Sequence, residues 1–193
     1  MALQEAGLAT MAYFYFDSKD TNKQHLHNAL PSLLTQLSAR SDCYCDILSD
    51  VYRAHNYGLS KPSPSTMIGC LGKMLALPDQ GPVYIILDAL DECPNTSGIP
   101  TAREEVLGLL EELVSLRLSH LHICATSRPE IDIRAVLEPL ALHSISLHDQ
   151  YGQKNDIEDY IRSAVYTDTA MKRWRRQDKE LVVETLTERA DGM

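Results

Sequence analysis

Three carboxylates, Asp88, Asp91 and Glu92, follow the apolar run Val83-Tyr84-Ile85-Ile86-Leu87, with Ala89 and Leu90 between them. Arg128 follows a second apolar run, His120 to Thr126. A carboxylate at a strand end can hold Mg²⁺ through water, because that ion gives up its hydration shell reluctantly. A second acid close by can orient or deprotonate a water that attacks a phosphoryl group. An arginine can pair with phosphate oxygens and register whether the terminal phosphate is there. Asp88, then Asp91 or Glu92, and Arg128 would fill those roles. Each also has an ordinary reading: the acids can open a loop or cap a helix, and Arg128 can simply pair with one of them.

Rival chemistries fail on spacing. A haloacid-dehalogenase-type phosphatase needs Asp-x-Asp after its strand, whereas here the interval is Asp88-x-x-Asp91. The chain has no Gly-x-Ser-x-Gly elbow and no His-Glu-x-x-His pair. His25/His27 and His120/His122 lack a third ligand and read as surface or strand histidines. Cys43-Tyr-Cys45 has no second pair to complete a zinc site. The five cysteines are odd in number and irregularly spaced, which points to reduced thiols and a cytoplasmic protein. Lys172, Arg173, Arg175 and Arg176 surround Trp174, the only tryptophan. That stretch reads as a solvated helix face over one buried ring, with contact to an acidic partner as the alternative.

The surrounding elements must place these residues. Val83 to Leu87 and His120 to Thr126 read as strands buried on both faces, and Met11 to Phe16 as a third strand by its aromatic content. His143 to Leu147 reads as a last strand, and Met1 to Thr10 as the end of a helix. Leucines at helical spacing over Thr21 to Ala39 predict a helix that kinks or restarts at Pro31. Cys45 to Tyr52 predicts a short helix, and Ser63-Pro64 is a helix start. Thr101 and Glu104 have capping-box spacing ahead of an amphipathic helix. Ile131 to Leu140, Asp156 to Val165 (capped by Asn155) and Asp178 to Ala190 complete the helices. Strands alternating with helices imply a parallel sheet, whose strand ends all point one way. Asp88 and Arg128 should therefore share one edge.

At 193 residues the chain suits one domain with the start of a second, divided at 1–150 and 151–193. It is 44% hydrophobic and 23% charged, enough for a core. A net charge of −9 argues against a nucleic-acid partner, and no apolar run approaches the ~18 residues of a membrane span, so the expectation is neither a nucleic-acid nor a membrane partner.

VYIILDALDEC (83–93) resembles the extended Walker B motif of NACHT-type STAND NTPases, and ATSRPE (125–130) resembles their sensor 1 segment. AYFYFD (12–17), LLTQLS (33–38) and RADGM (189–193) are similar to the nephrocystin-type NACHT domains abundant in fungi. The resemblance implies a P-loop NTPase-like, three-layer α/β sandwich followed by a helical region. It also implies ATP or GTP with Mg²⁺, and a signalling switch that self-associates or meets other signalling domains. Within it Asp88 would be the magnesium-site acid, acting through water. Asp91 and Glu92 would be the catalytic, water-activating acids, and Arg128 the sensor of the terminal phosphate.

The family's phosphate loop, G-x-x-x-x-G-K-[ST], is absent from the sequence. Gly69-Cys-Leu-Gly72-Lys73-Met74 imitates its end, but residue 67 is Met and the stretch lies in a helical pattern. The expectation is a chain lacking the first strand and phosphate loop, truncated at both ends, with two unpaired sheet edges and little or no nucleotide binding of its own. The alternative is a nucleotide-free scaffold or interaction module on the same fold. A Mg²⁺-dependent phosphohydrolase has less support, because no substrate-binding constellation accompanies the acids.

Overall fold

The β-branched and aromatic runs around the candidate acids form a parallel sheet. In the computed structural model, which describes residues 9–96, 98–146 and 153–189, the chain divides into two compact units, Met1–Ala141 and Leu142–Met193. The first unit holds three strands in the order β1 (Thr10–Tyr15), β2 (Val83–Asp88) and β3 (Leu121–Ala125). Both pairings are parallel, with Thr10 beside Val83 and Val83 beside Leu121. The fold is α/β, as the alternation of strands and helices predicts.

Helices α1 (Leu26–Ser38), α2 (Asp42–Ala54) and α3 (Pro64–Leu75) connect β1 to β2. Helix α4 (Ala102–Ser115) connects β2 to β3, and α5 (Ile131–Leu140) follows. The sheet grows in one direction, so right-handed crossovers place the connecting helices on the same face. The core has that composition. Ala12, Val83, Ile85 and Leu87 cluster with Leu30, Leu33 and Leu37 of α1, Leu71 and Met74 of α3, and Val106 and Leu110 of α4.

The register puts Met11, Tyr13 and Tyr15 beside Tyr84, Ile86 and Asp88, with His122 and Cys124 on the same face. Tyr13 and Tyr15 are 43% and 53% exposed, and His122 and Cys124 are exposed as well. Sequence reasoning expected β2 and β3 to be covered on both sides. Among the described residues the helices cover one side only, and along β2 buried and half-buried residues alternate. An apolar run reports a strand's tolerance for burial, not which layer supplies it.

Local signals explain the helix starts. Ser63 caps α3 through Thr66 N–H (3.2 Å), with Pro64 at the first helical position. Thr101 and Glu104 close a full capping box on α4, at 2.7 and 3.2 Å. Gly69, Gly72 and Lys73 lie inside α3, where their amides serve the helix.

Other elements differ from expectation. Pro31 does not restart α1, which runs through it as one continuous helix. The proline removes one hydrogen bond, to the carbonyl of exposed His27. The fully buried Leu30, Leu33 and Leu37 outweigh that loss, at ~1.5–3 kcal/mol each. Helix α2 is 13 residues long, well beyond the short helix expected. Residues 143–146 of the expected last strand form no strand, and Ile145 is 74% exposed. Leu147 lies outside the described residues, as do residues 1–8 of the expected leading helix, whose Thr10 begins β1 instead.

The second unit contains α6 (Gln153–Thr167), a short 3-10 turn (Ala170–Arg173) and α7 (Arg176–Arg189). Helix α6 begins before Asn155, so Asn155 is not its cap. Val165 and Val183 are buried. Glu180 accepts from Arg162 at 2.8 and 2.9 Å and from Tyr166 Oη at 2.6 Å. The Tyr166 hydroxyl and then Arg162 hold the Glu180 carboxyl below its usual range. Trp174, expected to be buried, is 47% exposed.

Candidate functional site

Three loops leave the carboxyl ends of β1, β2 and β3, and they interlock. Beyond β2, Ala89 takes a left-handed conformation (φ 59°, ψ 53°), which turns the chain sharply into the one-turn helix Leu90–Glu92. Leu90 is buried beneath that turn at 1% exposure, which anchors it and lifts the flanking acids to the rim. Thr126, directly after β3, binds this loop three ways. Its hydroxyl donates to Asp88 Oδ1, it accepts Ala89 N–H at 3.0 Å, and its carbonyl accepts Leu90 N–H at 3.0 Å.

Each predicted acid has a different partner. Asp88 lies against Thr126. Asp91 is clasped by Arg128, whose N–H donates to Oδ1 at 3.0 Å while its Nε lies 3.4 Å from Oδ2. Glu92 reaches the loop after β1, where Ser18 N–H donates to Oε2 at 3.1 Å. The hydroxyl and N–H of Ser18, helped by the charges of Arg128 and Lys19, hold the Glu92 carboxyl below its usual range. Asp88 and Arg128 do share the edge that topology predicts, with Asp91 joined to Arg128. The three acids do not converge: no group of three His, Cys, Asp or Glu among the described residues is arranged to hold a metal ion. The Arg128 side chain remains 80% exposed while that of Asp91 is only 10% exposed.

Sequence reasoning missed the residue beneath this arrangement. Arg103, in the first turn of α4, is 6% exposed. It donates to the Asp91 carbonyl at 2.7 Å, to the Cys93 carbonyl at 3.2 Å, to Asp132 at 3.1 Å and to Glu130. One guanidinium thus ties the acid loop after β2 to the start of α5 after β3. Burial works against its charge, but the hydrogen bonds to Glu130 and Asp132 outweigh burial and hold its pKa above the ordinary arginine value. A signal was present: a cation in a helix's first turn opposes the helix dipole, so it needs another reason to be there. Asn95 extends the network, donating to Asp132 at 2.8 Å and accepting from Thr101 at 3.1 Å. Buried Cys93 has its thiol pushed up to about 12 by desolvation.

The residues present fit part of a Mg²⁺–nucleotide site. Thr126 occupies one oxygen of Asp88, and among the described residues no protein donor takes the other. That suits a carboxylate bonding a metal-held water. The phosphate side does not fit, because the amides of Gly69 to Met74 are spent inside α3.

The family model described as nephrocystin 3, N-terminal, matches residues 2–128, well over half of the chain, and the chain belongs to that family. The match takes in all three strands together with Asp88, Asp91, Glu92 and Arg128. No curated protein matches the chain significantly.

Proposed function

We propose that the first unit is the core of a NACHT-type nucleotide-dependent switch of the STAND class, carrying the acid and sensor side of the site without its phosphate loop. The observation that supports this reading most is the latch between neighbouring strand ends, in which Arg128 clasps Asp91 beside Asp88. Asp88 is positioned to bond a magnesium-held water. Asp91 and Glu92 are the carboxylates available to orient an attacking water. With its side chain 80% exposed, Arg128 can leave Asp91 for a terminal phosphate at little cost, since exposed ion pairs contribute only ~0–1 kcal/mol. Exchanging Asp91 for phosphate would free Asp91 Oδ2 while the Arg128 N–H still holds Oδ1, which gives the latch two states. Bound Mg²⁺–ATP or Mg²⁺–GTP would supply the charge that both sides respond to, and self-association or contact with other signalling domains would be the output.

The test is equilibrium titration with MgATP and MgGTP. One sample is the chain itself; the other is preceded by a strand, a G-x-x-x-x-G-K-[ST] loop and its helix. The chain alone is expected to show no saturable binding below millimolar nucleotide. The extended version is expected to bind, with Asp88→Asn removing the magnesium dependence and Arg128→Ala weakening triphosphate more than diphosphate. A micromolar constant for the chain alone, or none for the extended version, would overturn the reading.

The open sheet face supports a second reading, a nucleotide-free interaction module. Met11, Tyr13, Tyr15, Ile86 and Cys124 offer a largely apolar surface, with Asp88 only at its carboxyl edge. Asp88→Asn/Arg128→Ala would leave such a module's partner binding intact and abolish a switch.

A further inference from the structure

Lys172, Arg173, Trp174, Arg175 and Arg176 are consecutive and all exposed. They run from the turn Ala170–Arg173 into the start of α7. Among the described residues none of these four cations forms an ion pair. The nearby acids are mostly engaged elsewhere: Glu180 serves Arg162 and Tyr166, and Asp168 accepts Ala170 N–H at 2.7 Å. Asp178 is the exposed acid that remains, while buried Lys179, 4.9 Å over the Tyr166 ring, adds a further positive charge behind the segment.

We propose that this segment is a peripheral docking site for anionic phospholipid headgroups, with Trp174 seated at the interface and the four cations around it. An indole has an apolar body and one N–H, and it is favoured where an apolar layer meets water. A cluster of four or more Lys and Arg is attracted to anionic lipid. Among the described residues the four cations form no ion pair, although the charge of Arg176 is felt at Glu180, so a folded acidic partner would have to order long, exposed side chains against fixed carboxylates. Fluid headgroups can move to the cations instead. A nucleic acid would call for a longer basic track than five residues in a chain of net charge −9. That net charge repels an anionic surface at long range, but screening confines the repulsion to roughly 8–10 Å, and at contact the local sign decides. Among the described residues no helix is long and apolar enough to cross a membrane, so the contact is with the surface.

Trp174 is the only tryptophan, so its emission reports directly on the segment. The whole chain is titrated with phosphatidylcholine vesicles, with and without about one-third phosphatidylserine, and vesicle co-sedimentation is measured in parallel. The expected result is a blue shift and co-sedimentation with the anionic vesicles, at least about tenfold stronger than with phosphatidylcholine alone. Raising salt to about 0.5 M should remove most of that preference. Arg173→Glu/Arg175→Glu should abolish binding, whereas Arg40→Glu/Lys61→Glu, with the same change in net charge at other exposed positions, should leave it unchanged. Equal binding to both vesicle types, no binding, or binding retained by the Arg173/Arg175 variant would overturn the proposal. So would a shift produced by an acidic polypeptide or an oligonucleotide while vesicles remain inert. The salt and lipid comparisons use the unmodified chain and do not depend on any variant folding.

Discussion

The two faces of the sheet are built from alternate residues of the same three strands, and they end in opposite environments. On one face Ala12, Ile85 and Leu87 have no exposed surface and Val83 has 1%. On the other, Tyr13 and Tyr15 are about half exposed and Cys124 is open to solvent. Ile85 and Ile86 make the contrast in adjacent residues of identical type: the first is fully buried, the second half-buried. Residue chemistry did not decide this. Strand order did, because a sheet that adds each strand on the same side receives all of its right-handed crossovers on one face.

Thiol reactivity offers the largest difference with which to break the comparison. Cys124 lies on the open face, whereas Cys93 sits in the core with its pKa pushed up to about 12. Burial therefore keeps the Cys93 thiol protonated at pH 8, and thiolate is the reactive form. Alkylation followed by peptide mapping should modify exposed Cys124 orders of magnitude faster than buried Cys93. Comparable rates would mean that the covered face opens readily.

Core truncation comes next. Ile85→Ala should cost about 4 kcal/mol in denaturant unfolding, because the cavity it leaves is closed on every side. Ile86→Ala should cost about 1 kcal/mol, since part of its surface is already in water. Equal losses would show that another layer covers the open face in solution.

The two arginines of the rim extend the comparison from apolar to charged groups. Arg103 is buried and bonded to two carbonyls as well as to the part-exposed Glu130 and Asp132, so Arg103→Met leaves the carbonyls without their donor and should cost about 2–3 kcal/mol. Arg128 is exposed with one contact at 3.4 Å, and Arg128→Met should cost no more than about 0.5 kcal/mol in stability. The same unfolding experiment reads both. A large loss for Arg128 would mean that its clasp on Asp91 holds the loops together, and the two-state latch would then be too costly to open.

What was legible in the sequence follows the range of the interactions. Signals confined to a few residues were read correctly: the Ser63-Pro64 start, the Thr101/Glu104 capping box and the helical setting of Gly69 to Met74. The shared edge of Asp88 and Arg128 was also legible, because parallel strands must end on one side. What depends on which distant residues pack together was not. Pro31 is tolerated because β1, α3 and α4 bury the leucines around it. The open face follows from the direction in which strands are added. The stretch from His143 to Ile145 looks strand-like, but pairing needs a partner edge, which a propensity cannot supply. Arg103 was passed over because its four partners come from two other loops, and only its unfavourable place at a helix N-terminus marked it out.

The smallest expected effect lies at Glu92, where the loop after β2 meets the loop after β1. Its carboxyl is held below its usual range by Ser18, with Arg128 and Lys19 assisting. A carboxylate with a lowered folded-state pKa stabilises the fold above its unfolded pKa, and the contribution fades as pH falls through the folded value. Glu92→Gln should therefore melt slightly below the unmodified chain at pH 7, with the gap narrowing as pH falls through and below the ordinary glutamate range and vanishing once the carboxyl is protonated. The amide keeps the size and one acceptor oxygen, so the comparison isolates charge. A gap that persisted in acid strong enough to protonate the carboxyl would assign the contact to shape, and the rim would then be joined by packing and neutral hydrogen bonds.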